Sequence, residues 1–72
     1  MIHKITLEAA RVNANLTQRE AAKRLGCTRA TLQNYEKGRT VPDWNMVRKI
    51  EEVYSYPADH INFLASSTLS VI

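Results

Sequence analysis

The side chains with the clearest chemical potential lie close together between positions 29 and 37. If this stretch is a helix with an apolar inner face, its outer face carries five side chains: Arg29, Ala30, Gln33, Asn34 and Lys37. An arginine can donate twice to O6 and N7 of guanine, and glutamine or asparagine can pair with N6 and N7 of adenine. Ala30 can contact a thymine methyl group. This set is suited to base edges and phosphates, although the same residue types are common on any solvent-facing helix.

Residues that could support catalysis or metal binding are few and do not converge. Cys27 is the single cysteine, so it closes no internal disulfide, and with His3 and His60 it makes no spaced set of metal ligands. The adjacent Glu51 and Glu52 would point about 100° apart on a helix, so they do not form a paired-carboxylate site. We therefore expect no enzymatic activity, metal, cofactor or small-molecule substrate.

The chain is small, and its charge is unevenly distributed. A chain of 72 residues buries about 60% of the surface that its unfolded form exposes, which suits one domain over residues 1–72 without a large cleft. Residues 1–42 contain eight Lys and Arg against three Glu, whereas residues 43–72 contain two basic and four acidic residues. A basic half favours a polyanionic partner such as nucleic acid, with a scattered solvated surface as the alternative.

Short helices are the elements that would position these side chains. Four residues are suited to cap a helix N-terminus, namely Thr6, Thr17, Thr28 and Asp43. Thr17 and Glu20 have the spacing of a capping box, and Gly26 and Gly38 suit the ends of the helices before them. Pro57 suits the first turn of a last helix. These signals predict five helices, over about residues 6–14, 18–25, 29–37, 43–54 and 57 to 63 or 64.

Helical periodicity also predicts which side chains form the core. The predicted inner faces are Leu7, Ala10, Arg11 and Ala14, then Ala21, Ala22 and Leu25, then Leu32, Tyr35 and Glu36, and finally Met46 or Val47, Ile50, Val53 and Tyr54. The small alanines permit the close approach of two helices joined by about three residues. Trp44 is expected to pack the fourth helix onto the bundle, and a role at an interface is the alternative.

The stretch from Leu16 to Arg39 resembles the helix-turn-helix of the phage Cro and CI repressor family. The resemblance rests on Gln18 at the start of the second helix, on an Ala-x-x-Leu-Gly pattern before the turn, and on a Glu-x-Gly pattern followed by Pro42. It extends from Leu7 to about residue 64. It implies an all-α, lambda-repressor-like bundle of about five helices that binds operator DNA, commonly as a dimer.

The resemblance also implies roles for individual residues. By similarity, the base-reading positions are Arg29, Ala30 and Asn34. Gln18 resembles the family's phosphate-contacting glutamine, and the helix N-terminus where it lies favours an anion. Thr28 is expected to contact a phosphate in the same way at the start of the third helix, and Arg39, just beyond that helix, can reach a flanking phosphate.

Arg11 and Glu36 both lie on predicted inner faces, and the family pattern places an arginine of the first helix against a glutamate that closes the third. Because an unpaired buried charge is strongly disfavoured, we expect a partly buried ion pair rather than two solvated charges. Such a pair would hold the third helix against the first.

The C-terminal stretch is more apolar than a solvated tail requires. Residues 65–72 include Leu69, Val71 and Ile72, which could cover a second copy of the chain or fold back on their own bundle. No apolar stretch is long enough to span a membrane, and the N-terminus lacks the apolar core of a signal peptide. We therefore expect a cytoplasmic protein without a membrane partner.

Together these features predict a sequence-specific regulator of transcription that binds double-stranded operator DNA as a homodimer, in the manner of a phage or prophage repressor. The alternative is a protein-interaction module, such as an antitoxin or antirepressor that uses the same bundle. The basic excess lies in the half that contains the third helix, which favours the DNA-binding interpretation.

Overall fold

The computed structural model of the protein describes residues 4–63. Its elements in chain order are β1 (Ile5–Thr6), α1 (Leu7–Asn13), α2 (Gln18–Leu25), α3 (Arg29–Glu36), α4 (Trp44–Tyr54), a single 3-10 turn (Ala58–His60) and β2 (Ile61–Asn62). The fold class is all-α with a helix-turn-helix formed by α2 and α3, as predicted. Within the described range, no helix has the length and apolar character that crossing a membrane requires.

Each α-helix begins directly after the residue that the sequence predicts as its N-cap. The four cap side chains accept a hydrogen bond from the backbone N–H three residues on, in the pairs Thr6 and Ala9, Thr17 and Glu20, Thr28 and Thr31, and Asp43 and Met46. The carboxylate of Glu20 accepts in turn from the Thr17 N–H at 2.9 Å, which completes the predicted capping box. The hydrogen bond from the Thr17 backbone N–H, followed by the interaction with the Thr17 side chain, lowers the pKa of Glu20. The start of α2 is therefore determined locally.

The turn between α2 and α3 depends on a left-handed residue. Gly26 has a φ of +76°, a conformation that residues with a Cβ adopt only at a cost. The Cys27 N–H donates to the carbonyl of Ala22 at 3.0 Å, which satisfies the end of α2. As a result only three residues separate α2 from α3.

The core lies where α1, α2, α3 and α4 meet. Leu25, Leu32 and Ile50 are the largest fully buried side chains of the described residues. Ala21 and Ala22 are buried beside them, so α2 can approach its neighbours closely. The predicted inner faces are confirmed for these residues, while Met46 and Val53, among others, pack against the core half-buried.

The predicted fifth helix is wrong. After Pro57, whose backbone is extended, the chain makes only the 3-10 turn and then enters β2, which pairs in parallel with β1 so that Ile61 lies beside Ile5. Ile61 is 2% exposed, so the extended conformation buries a β-branched side chain that suits a strand better than a helix. The alternation of Ile61 and Phe63 with polar neighbours was a weak sequence signal for this pair of strands.

The expected packing of Trp44 onto the bundle is also wrong, because its side chain is 71% exposed. Trp44 precedes the buried Ile50 by six residues, which at 100° per residue places the two about 120° apart around α4. Trp44 therefore does not lie on the buried face of this helix. The predicted C-terminal tail, residues 65–72, lies outside the described residues.

Candidate nucleic-acid interface

The outer surface of α3 carries the polar side chains that the sequence predicts there. Arg29, Ala30 and Lys37 are exposed, and Gln33 and Asn34 are half-buried along the same helix. Arg39 follows α3 after Gly38, whose φ of +75° ends the helix, and it is exposed. The structure thus brings the predicted base-reading side chains together at one surface, with Arg39 just beyond the helix end.

Gln18 links the start of α2 to α3. Its side-chain oxygen accepts from Nε2 of Gln33 at 3.2 Å and from Nε of Arg29 at 3.4 Å. Its Nε2 donates to Oε1 of Glu36 at 2.9 Å. The side chain predicted to meet a phosphate is therefore also tied to three residues of α3.

Arg11 and Glu36 lie in contact beneath this surface. Nε of Arg11 donates to Oε2 of Glu36 at 2.7 Å, and the two side chains are 10% and 4% exposed. Nη1 of Arg11 donates to the backbone carbonyl of Leu16 at 2.9 Å, so the guanidinium also holds the loop between α1 and α2. Both charges are withdrawn from water, and the mutual contact compensates for that loss.

Tyr54 lies near this ion pair and carries a buried hydroxyl. The side chain is 2% exposed, and its hydroxyl oxygen has no hydrogen-bond partner among the described residues. Burial raises the pKa of Tyr54, and the negative charge of Glu36 raises it further, whereas Arg11 opposes the shift. The phenol therefore stays protonated and neutral in the folded protein.

The remaining capping and turn residues also serve the fold. Thr28, predicted to contact a phosphate, uses its hydroxyl to cap α3 and lies 2.8 Å from the hydroxyl of Thr31. Cys27 is half-buried, and burial raises the pKa of its thiol, which disfavours a nucleophilic thiolate. Among residues 4–63, no group of three or more His, Cys, Asp or Glu is placed to hold a metal ion.

Comparison with known proteins identifies the fold. A sequence model for a family described as a helix-turn-helix domain matches residues 5–64. The chain belongs to this family, in its Cro/CI-like branch. Among curated proteins it is 34% identical over 55 residues to the HTH-type transcriptional regulator ImmR of Bacillus subtilis (strain 168). The aligned region covers 76% of this chain and 43% of that relative. No solved structure gives a significant match.

Membership of the helix-turn-helix family agrees with two predictions from the sequence, one about DNA binding and one about enzymatic activity. The domain is of a DNA-binding class rather than an enzyme class, as the sequence predicted. The chain spans less than half of the curated relative that it matches.

One basic residue of this surface was not among the predicted site residues. Arg19 lines a surface groove at the start of α2, and the other residues that line this groove are Glu8, Arg11, Thr17, Gln18 and Arg29. Its neighbours on α2, Lys23 and Arg24, are exposed but do not line it. The sequence signal for Arg19 was its place directly after Gln18, within the first turn of a helix that favours anions.

Proposed function

We propose that this protein is a sequence-specific regulator of transcription of the Cro/CI type that binds double-stranded operator DNA and acts by excluding other proteins from that site. The observation that carries the proposal is the surface of α3. Arg29 and Ala30 are exposed at its N-terminal end, and Gln33 and Asn34 follow one turn later. In helix-turn-helix proteins, the N-terminal residues of the second helix of the motif, which is α3 in this protein, reach base edges in the major groove.

The proposed contacts divide into base contacts and phosphate contacts. Base reading is assigned to Arg29, Ala30, Gln33 and Asn34, whose side chains offer donors, acceptors and a methyl group to the major groove. Phosphate contacts are assigned to the residues that flank α3 or begin the motif, namely Gln18, Arg19, Thr28, Lys37 and Arg39. Gln18 keeps one N–H of its amide for a phosphate after it donates the other to Glu36.

We propose that the protein binds its operator as a homodimer in the cytoplasm. Val41 and Trp44, which flank the N-cap of α4, are 57% and 71% exposed. Apolar side chains exposed this far are favourable contact points for a second copy. Two copies would read two half-sites whose centres lie about one helical turn of DNA apart.

The relative from Bacillus subtilis, which is itself described as a transcriptional regulator, supports the regulatory part of this proposal. A phage or prophage repressor is the specific form that we propose. The exposed Trp44 also favours a second candidate, in which the bundle binds a different protein, as an antitoxin or antirepressor does.

Salt-dependent binding to duplex DNA tests the proposal. Contact with about six phosphates per dimer predicts a slope near −5 for log K against log salt concentration. Because each copy of the dimer contributes one Arg39, Arg39→Ala should make this slope shallower by about two, while Arg48→Ala, which removes an exposed arginine from α4, should leave it unchanged. Footprinting on DNA that flanks the gene then identifies the operator. Affinity that does not change between about 50 mM and 200 mM salt would reject the proposal and favour the protein partner.

A further inference from the structure

A continuous series of hydrogen bonds runs from the buried ion pair to the surface of α3. Arg11 donates to Glu36, Glu36 accepts from Gln18, and Gln18 accepts from Gln33 and Arg29. The hydrogen bond between Arg11 and Glu36 is 2.7 Å long, and the one between Gln18 and Glu36 is 2.9 Å long. Gln18 accepts from Gln33 at 3.2 Å and from Arg29 at 3.4 Å. The series connects a residue of the core to two proposed base-reading residues.

The chemistry of the two charged groups determines the direction of every bond in this series. A guanidinium only donates and an ionised carboxylate only accepts, so Glu36 requires a donor from Gln18. The Gln18 amide must therefore turn its Nε2 towards Glu36 and its Oε1 towards α3. An amide with the opposite orientation would place oxygen against carboxylate oxygen.

The orientation of Gln18 determines which atoms α3 offers to a ligand. Because Gln18 presents an acceptor, Gln33 must donate an N–H to it. The Oε1 of Gln33 has no hydrogen-bond partner within the described residues. Arg29 likewise donates through Nε, which leaves its two terminal nitrogens without a partner in residues 4–63. Gln33 thus offers a carbonyl acceptor, and Arg29 offers the pair of donors at its tip.

We propose that Glu36 is a positioning residue for DNA recognition: through the Gln18 amide, its carboxylate sets Gln33 to read a base by an exocyclic amino group. This inference rests on the proposed function. A carbonyl acceptor selects N6 of adenine or N4 of cytosine at the contacted position, and it disfavours O6 of guanine and O4 of thymine. The base preference of Gln33, on the outer surface of α3, is thus determined by a charge in the core.

Replacing Glu36 by glutamine tests the proposal, because the replacement keeps the shape but adds a donor. The oxygen of the new side chain must keep the 2.7 Å hydrogen bond from Nε of Arg11, because the bond from Nη2 to the other carboxylate oxygen is long, at 3.5 Å. The amide nitrogen then takes the place of Oε1, faces Gln18 and turns the Gln18 amide around. Gln33 must then offer its oxygen to Gln18 and its Nε2 to the DNA. The preference at this position should change from adenine or cytosine to guanine or thymine, by about 10-fold in relative affinity.

The measurement is a selection on randomised duplex DNA with the wild type, Glu36→Gln, Gln33→Ala and Glu8→Gln. Gln33→Ala identifies the base position that Gln33 contacts, since only that preference should disappear. Glu8→Gln is the matched control, because Glu8 lies 3.9 Å from Nη2 of Arg11, is mostly exposed and is not part of the series. We expect its selected sites to equal those of the wild type.

A second variant keeps the test decisive if Glu36→Gln does not fold. Gln18→Met removes the amide and leaves the ion pair intact, so Gln33 can turn either way and its base preference should fall about 10-fold. Unchanged preference at the Gln33 position in either folded variant overturns the inference and leaves the proposed function standing. Failure of the wild type to bind any duplex overturns both.

Discussion

Arg11 and Glu36 are 25 positions apart in the chain, yet Nε of the arginine lies 2.7 Å from Oε2 of the glutamate. Their contact joins α1 to the last residue of α3. Both side chains are almost fully withdrawn from water, so each charge depends on the other for compensation. The orientation of the proposed recognition helix therefore depends on a polar contact inside the protein.

Glu36→Ala should lower the free energy of unfolding by about 3 kcal/mol, because it leaves the Arg11 charge buried without its closest partner. Urea denaturation followed by circular dichroism measures the change. Glu8→Ala is the matched control, since Glu8 is also near Arg11 but its side chain is 65% exposed. We expect a loss of less than about 1 kcal/mol for the control, and equal losses for the two variants would contradict the importance of burial.

Arg29→Ala and Arg39→Ala should have different effects on DNA binding. Loss of Arg29 removes donors aimed at a base edge, so affinity for the preferred operator should fall by about 1 to 3 kcal/mol and discrimination should relax at one base pair in each half-site. Loss of Arg39 should weaken binding to all sequences alike. Selection on randomised DNA distinguishes the two, and equal losses without sequence preference would show that Arg29 contacts phosphate.

Tyr54→Phe should not destabilise the protein, since the hydroxyl that it removes is buried without a hydrogen-bond partner in the described part of the chain. The phenyl ring keeps its packing, and loss of the unsatisfied hydroxyl should leave the free energy of unfolding unchanged or raise it by about 1 kcal/mol. Thermal unfolding measures the difference. A clear fall in the melting temperature would show that the hydroxyl has a partner in solution.

Alkaline pH should destabilise the wild type more than Tyr54→Phe. The pKa of Tyr54 is raised in the folded state, so the folded protein holds this proton more tightly than the unfolded chain does. Below the unfolded pKa of about 10, both states keep the proton and the contribution of Tyr54 to the free energy of unfolding is fully present. As pH rises above that value, the unfolded chain loses the proton first, so this contribution is lost. Urea denaturation at a series of pH values around 10 should give a steeper loss for the wild type, and parallel curves would contradict the assignment.

Thr17→Ala should cost about 1 kcal/mol of unfolding free energy, because the Thr17 hydroxyl caps α2 by accepting from the Glu20 N–H. Thr40→Ala provides the control, since Thr40 is exposed between α3 and α4 and takes part in no capping hydrogen bond. We expect the control to change stability by less than about 0.5 kcal/mol. Denaturant midpoints that fall equally would show that the capping box contributes nothing.

Local signals in the sequence were sufficient for most of the fold. The caps at Thr6, Thr17, Thr28 and Asp43 and the left-handed Gly26 act within a few residues, so their effects can be read from the chain itself. The spacing of apolar residues predicted the buried faces of α1 to α4 for the same reason. The charge excess of residues 1–42 likewise required no structure.

The tertiary structure decided what depends on partners distant in sequence. Ile61 is extended because Ile5, 56 positions earlier, offers a strand to pair with, and the alternation of Ile61 and Phe63 with polar neighbours is too short a local signal to predict that pairing. The direction of the Gln18 amide follows from Glu36, which follows in turn from Arg11 on a third element. Local sequence determines where each helix begins and ends, because caps and turns act over three or four residues, whereas hydrogen-bond polarity across helices exists only after they have packed together.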